Sequence, residues 1–216
     1  MPAADAEFGI VSDLDDTVLR SGITRPLQAL LTVLLNNAAT RTPFEGVADL
    51  YRALQRGPDD AGTNPLFYVS SSPWNLHDLV EEFLRVHDVP AGPLFLRAWG
   101  LDADAPDGGG HAGHKSALLE GLLGTYPDLR FVLIGDSGQQ DPEIYRDLAL
   151  AHPDRVLAVY VRDVTDPARD AQVQAVAEQV RAAGVPFALV ADSAAAAADA
   201  ASRGLVAPAT AARPSA

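Results

Sequence analysis

Six short runs rich in Val, Ile, Leu and Phe, at residues 8–12, 66–70, 94–97, 131–135, 156–161 and 187–190, alternate with longer segments whose apolar residues recur at helical spacing. Strands of four to six residues separated by helix-length segments cannot pair as hairpins, so the alternation predicts β-α units feeding a mainly parallel sheet. The helical segments are expected at 47–55, 76–87, 115–123, 143–151 and 168–183. Pro142 sits at a first-turn position, Asp166-Pro167 precedes the fifth helix, and Gly184-Val185-Pro186 stops it before the last strand. The expected fold class is therefore α/β, Rossmann-like, with helices on both faces of the sheet.

Two stretches depart from the pattern. Residues 101–113 carry three carboxylates, Pro106 and three consecutive glycines, and read as a surface loop. The roughly fifty residues between the first two strands exceed the ~10–12 that a simple crossover needs. They include an apolar stripe at Leu27, Leu30, Leu31 and Leu34, so residues 18–45 are expected to form a small helical insertion or lid. Residues 1–204 read as one domain and 205–216, rich in Ala, Pro and Thr, as a frayed tail.

Charge narrows the function. Sixteen Lys and Arg against 29 Asp and Glu give a net charge of −13, a field that repels nucleic acid and anionic lipid. An anionic substrate would need local positive charge, most simply a bound cation. The chain has no cysteine, which removes disulfides, thiolate metal sites and thiol nucleophiles together. No apolar run approaches the ~20 residues of a membrane span, and no basic leader opens the chain, so a cytoplasmic protein without nucleic-acid partners or transmembrane segments is expected. Oligomeric state is not legible.

In open α/β sheets ligands bind beyond the carboxyl ends of the strands, which gives most weight to polar residues placed there. Ser12-Asp13-Leu14-Asp15-Asp16-Thr17 follows the first run; its three carboxylates within four residues call for a divalent cation or a proton. Ser70-Ser71-Ser72-Pro73-Trp74-Asn75 follows the second, with hydroxyls and amides at a strand-to-helix turn that suit a phosphate. Lys115 opens a helix, where it opposes the helix dipole and is better explained by charge pairing. Gly135-Asp136-Ser137-Gly138-Gln139-Gln140-Asp141 places two more carboxylates after the fourth run. Taken singly these are ordinary acidic turns and serine caps; their order along one sheet edge is what carries weight. Other residues stay open. Arg162 reads as a substrate contact or a surface ion pair, Trp74 as core before pocket, and His111 and His114 as exposed loop bystanders before zinc ligands.

The four motifs resemble those of the haloacid dehalogenase-like phosphatase superfamily over the span 8–161. More narrowly, Ser-Asp-Leu-Asp-Asp-Thr, Ser-Ser-Ser-Pro-Trp-Asn and the long string Ile134–Tyr145 look like the catalytic domain of the actin-patch phosphatidate phosphatases. The resemblance implies Asp13 as nucleophile forming an aspartyl-phosphate, and Asp15 as the acid that protonates the leaving oxygen and then the base that activates water. Mg²⁺ would be held by Asp13, Asp15 (through its carbonyl), Asp136 and Asp141. Ser70 and Lys115 would grip the phosphoryl oxygens, Thr17 would support the loop, and Ser71, Asn75 and Arg162 would complete the substrate contacts. The implied substrate is a phosphomonoester, in the narrower reading phosphatidate at a membrane surface. A phosphomonoesterase for soluble compounds, a phosphorylatable Mg²⁺-binding switch and a binding protein with a dead site are the competing readings.

Overall fold

The computed structural model describes residues 5–14, 45–60, 62, 64–97 and 111–207. Among the described residues, six strands form one all-parallel sheet: β1 (Gly9–Asp13), β2 (Leu66–Pro73), β3 (Leu94–Arg97), β4 (Phe131–Asp136), β5 (Val156–Arg162) and β6 (Phe187–Val190). Their order is β3-β2-β1-β4-β5-β6. The chain thus builds outward from β1 in one direction, returns to the other side of β1 with β4, and builds outward again. That is the doubly wound Rossmann order, with its topological switch point between β1 and β4.

The helices among the described residues are α1 (Val47–Arg56), α2 (His77–Val86), α3 (His111–Thr125), α4 (Asp141–Ala151), α5 (Pro167–Ala182) and α6 (Ser193–Ser202). They divide between the two faces, as expected. Ile10, Tyr68, Ile134 and Tyr160 point from the strands toward the layer of α1, α2 and α6, and pack with Leu50, Phe83 and Ala200. Val11, Phe67, Leu133 and Val159 point the other way and pack with Leu119 of α3, Leu148 of α4 and Val176 of α5. Consecutive strand residues therefore fill opposite cores, which is why these strands read as unbroken apolar runs. Buried hydroxyls are paired: Tyr68 donates to the Pro90 carbonyl at 2.7 Å and Tyr145 to the Ile134 carbonyl at 3.0 Å. Each would cost about 1–3 kcal/mol if left unsatisfied.

Several boundaries differ from expectation. β1 and β4 each run one residue further, so Asp13 and Asp136 end their strands instead of following them. β2 continues through the serines to Pro73, with a register shift between Val69 and Pro73, and the turn Trp74–Leu76 is 3₁₀. The helix bearing Lys115 begins at His111, which puts His114 on a half-buried helical turn and not on an exposed loop. α6 was not expected. Leu205 and Val206, assigned from sequence to the tail, are instead buried against α1, α2 and α6, because the turn after α6 brings them back under that layer. Trp74, for which core was the safer reading, is 56% exposed and packs tilted against the His77 ring, with centroids 4.7 Å apart. The insertion expected at 18–45 lies, but for Glu45, outside the described residues.

Candidate active site

The period-2 alternation of β1 sends its last two side chains to opposite faces. Ser12 turns toward α1, where its hydroxyl donates to the Asp13 carbonyl at 2.7 Å and pairs with the Tyr51 hydroxyl at 2.6 Å. Burial raises the Tyr51 hydroxyl well above its usual range, so it stays protonated and holds the end of β1 as a neutral group. Asp13 turns toward α3 and is 1% exposed.

There it meets Lys115, which is 3% exposed. The Lys115 ammonium donates to Asp13 Oδ1 at 2.7 Å and to Asp141 Oδ1, linking strand β1 to the first residue of α4. Burial alone would lower the Lys115 pKa, but the carboxylates of Asp13 and Asp141 outweigh it and leave the group well above its ordinary value. A permanent buried cation is the result. The Tyr145 ring lies 5.8 Å below the ammonium, and burial together with Asp141 keeps its hydroxyl protonated.

Asp141 owes its place to an absent side chain. A Cβ at Gly135 would lie 2.8 Å from Asp141 Cβ and would collide with its carboxylate. With glycine there, Asp141 folds back over β4 and accepts a hydrogen bond from the Asp136 amide at 3.3 Å. Burial pushes its carboxyl up to about 7, opposed by Lys115 and reinforced by Asp13. Asp136, fully buried, accepts from the Gly138 amide at 2.6 Å and the Gln139 amide at 3.2 Å, closing a tight acidic loop.

Asp13, Asp136 and Asp141 each offer an oxygen within 4.8 Å of the others, and all three are buried. Asp13 Oδ2 has no hydrogen-bond partner among the described residues. Three carboxylates around one ammonium leave negative charge unbalanced in a dry setting, which is expensive unless a cation joins them. The oxygen-only donor set and the open Asp13 oxygen fit a hard divalent ion such as Mg²⁺.

The other expected residues are spread more widely. Ser70, buried one residue beyond Val69, the register partner of Asp13, accepts a hydrogen bond from the Ser72 amide at 2.9 Å. Ser71 lies on the same strand extension, and Asn75 is exposed on the 3₁₀ turn. Arg162 ends β5 in register with Asp136 but lines a separate small cleft with Val47, Leu50 and Asp192, on the α1 side. His114 belongs to neither of the two candidate metal groups found among the described residues. Asp15 and Thr17 lie outside the described residues. A cleft of about 580 Å³ opens beside the acidic loop, lined by Gly138, Gln139, Glu143 and Arg169. The buried carboxylates are not among the residues that line it. Tyr145, Gly135 and Tyr51 were passed over as site residues from sequence, although the first two lie inside or beside the long Ile134–Tyr145 string.

Residues 8–163 match the family described as "Phosphatidate phosphatase APP1, catalytic domain". The chain belongs to this family. The family span runs from the start of β1 to just past β5 and includes every residue assigned above to the carboxylate cluster. Among curated relatives, the chain is 29% identical over 155 residues to phosphatidate phosphatase APP1 of Saccharomyces cerevisiae, covering 72% of this chain and 26% of that protein. It is 32% identical over 162 residues to an uncharacterized Schizosaccharomyces pombe protein, covering 73% of this chain and 25% of that one. The chain thus spans about a quarter of the length of these relatives.

Proposed function

We propose that the chain is an Mg²⁺-dependent phosphatase that hydrolyses a phosphomonoester, phosphatidate in the first instance, through an aspartyl-phosphate on Asp13. The single observation that carries this reading is the buried Asp13 at the switch point. Its Oδ1 is held by Lys115 and its Oδ2 has no partner among the described residues, beside two further carboxylates. Family membership supports the substrate class, since the yeast relative bears the name phosphatidate phosphatase.

The residues divide the work as in the haloacid dehalogenase-like phosphatases that the motifs resemble. Lys115 fixes the rotation of the Asp13 carboxylate and offsets its charge as an anionic phosphoryl group approaches. An Asp13 oxygen attacks phosphorus, the P–O ester bond breaks, and Asp15 gives its proton to the leaving oxygen. Asp15 then takes a proton from water, the water oxygen attacks phosphorus, and phosphate departs with Asp13 restored. Ser70 and Lys115 bind phosphoryl oxygens; Asp13, Asp15, Asp136 and Asp141 are the groups to hold Mg²⁺. When bound, Mg²⁺ neutralises phosphoryl charge and supplies the positive field that a chain of net charge −13 lacks. The fold itself leaves the substrate open, and among the described residues no helix is long and apolar enough to cross a membrane.

The deciding experiment measures phosphate release from short-chain phosphatidate in mixed micelles against water-soluble phosphomonoesters, with Mg²⁺ present. Faster turnover of phosphatidate is expected. A preference for the soluble compounds would remove the lipid assignment, and a single stoichiometric phosphorylation without turnover would replace the enzyme with a switch.

A further inference from the structure

We propose that Arg169, in the first turn of α5, is a positioning residue that holds the acidic loop 136–140 and the start of α4 in the shape the carboxylate cluster requires. The inference rests on the role proposed above for Asp136 and Asp141.

One guanidinium makes four contacts to that region. Its Nε donates to the Ser137 carbonyl at 3.0 Å and its Nη2 to the Gln139 carbonyl at 2.8 Å. Its Nη1 and Nη2 also form a fork on the Glu143 carboxylate at 2.6 and 2.9 Å. Ser137 and Gln139 lie in the turn that leads from Asp136 to Asp141, and Glu143 stands two residues after Asp141 on α4. The Gly138 amide, which donates to Asp136 Oδ1, shares its peptide unit with the Ser137 carbonyl that Arg169 grips, and Gln139, whose amide is the other donor to Asp136 Oδ1, is gripped through its own carbonyl. Holding the Ser137 carbonyl outward turns the Gly138 amide of the same peptide unit inward, and the grip on the Gln139 carbonyl fixes the next residue of the turn, so the side of the loop facing Arg169 fixes the side facing the cluster.

The attachment is reinforced along the same seam. Ser137 Oγ accepts from the Val164 amide at 2.9 Å and pairs with Thr165 Oγ1 at 2.9 Å, and Thr165 in turn donates to Asp170 at 3.0 Å. Gly138 lets the loop lie against this segment: a Cβ there would sit 3.2 Å from Val164 Cγ2. Asp166 anchors the clamp by capping α5, accepting from the Ala168 and Arg169 amides at 3.0 and 3.1 Å. Arg169 touches none of Asp13, Lys115 and Asp141 among the described contacts, so it acts through the loop. It also lies beyond the matched span 8–163. A lysine cannot replace it fully, since an ammonium lacks the planar fork that serves two carbonyls and a carboxylate at once.

The test compares wild type with Arg169→Ala, Arg169→Lys and, as a control, Arg155→Ala. Arg155 clamps the carbonyls of Leu123, Tyr126 and Leu129 at the opposite edge of the sheet. Two quantities are read: hydrogen exchange of the Gly138 and Gln139 amides in metal-free protein, and the Mg²⁺ concentration that half-saturates phosphate release. For Arg169→Ala the expected outcome is faster exchange at those amides and a half-saturating Mg²⁺ raised about 10–100-fold, the usual cost of losing a group that orients metal ligands. Arg169→Lys should fall between Arg169→Ala and wild type. Arg155→Ala should lower thermal stability and leave Mg²⁺ half-saturation near wild type. If Arg169→Ala loses its cooperative melt, Arg169→Lys decides the matter by the same two readings. Unchanged exchange and unchanged half-saturation in the folded variant overturn the proposal. Wild-type protein without Mg²⁺-dependent phosphate release would overturn the proposed function, while the exchange rates would still decide whether Arg169 holds the loop.

Discussion

Lys115 and Asp141 meet from helices that sequence places 26 residues apart, and their pairing sets how the site responds to protons. Lys115 stays charged throughout the working range, because two carboxylates outweigh its burial. Asp141 is different: burial raises its carboxyl to about 7 in the metal-free protein. A cation needs the ionised form, so below that value binding must first expel a proton. The sign follows: Mg²⁺ affinity weakens as pH falls through about 7 and levels off above it. Between pH 8 and pH 6 a single competing proton corresponds to about a tenfold loss. Isothermal titration with Mg²⁺ at the two pH values, without substrate, checks this; equal affinities would mean that Asp141 is ionised throughout and contributes no such competition. At this scale the sequence was informative where residue type sufficed. Asp13, Lys115, Asp136 and Asp141 converge as the strand-end reasoning expected, whereas Arg162 turns to another cleft and Trp74 is exposed, since neither face nor packing partner can be read from a lone residue.

Among the elements, β4 and α4 form the unit on which the cluster depends. Gly135 is the hinge of their packing, because only a missing Cβ lets the first residue of α4 fold over the strand. Gly135→Ala should displace Asp141, lower Mg²⁺-dependent turnover at least tenfold and cost about 1–3 kcal/mol of stability through overpacking. Steady-state kinetics and urea denaturation measure the two effects; wild-type values for both would show that the helix can shift without cost. All six strands and five of the helices were legible, because apolar runs and helical spacing alternate so regularly. α6 was missed for a physical reason: five consecutive alanines have high helix propensity but no apolar period. Its start was nonetheless written in Asp192, whose carboxylate caps the helix by accepting from the Ala195 amide at 2.8 Å. The extension of β2 past Ser70, through Ser71 and Ser72 to Pro73, was also invisible, since that segment pairs through an irregular register that composition does not announce.

For the whole molecule, the sheet order does what local pattern cannot. Asp13 and Asp136 are far apart in the chain, yet β1 and β4 are neighbours, and both strands end in a carboxylate at the switch point. Alternation along the chain predicts a parallel sheet but not which strands adjoin, so in the sequence the convergence is legible only through the order of the motifs. What sequence could not reveal was the second layer of support: the Arg169 contacts join residues 26–32 positions apart and leave no local signature. The central claim is that this convergence makes Asp13 a metal-assisted nucleophile toward phosphorus. Its most direct test is phosphate release from short-chain phosphatidate by wild type and Asp13→Asn, each with Mg²⁺ and after exhaustive EDTA treatment. The expected result is turnover by wild type that EDTA abolishes and added Mg²⁺ restores, with Asp13→Asn slower by about 10³-fold or more. Near-normal turnover by Asp13→Asn, or activity indifferent to EDTA, would contradict it.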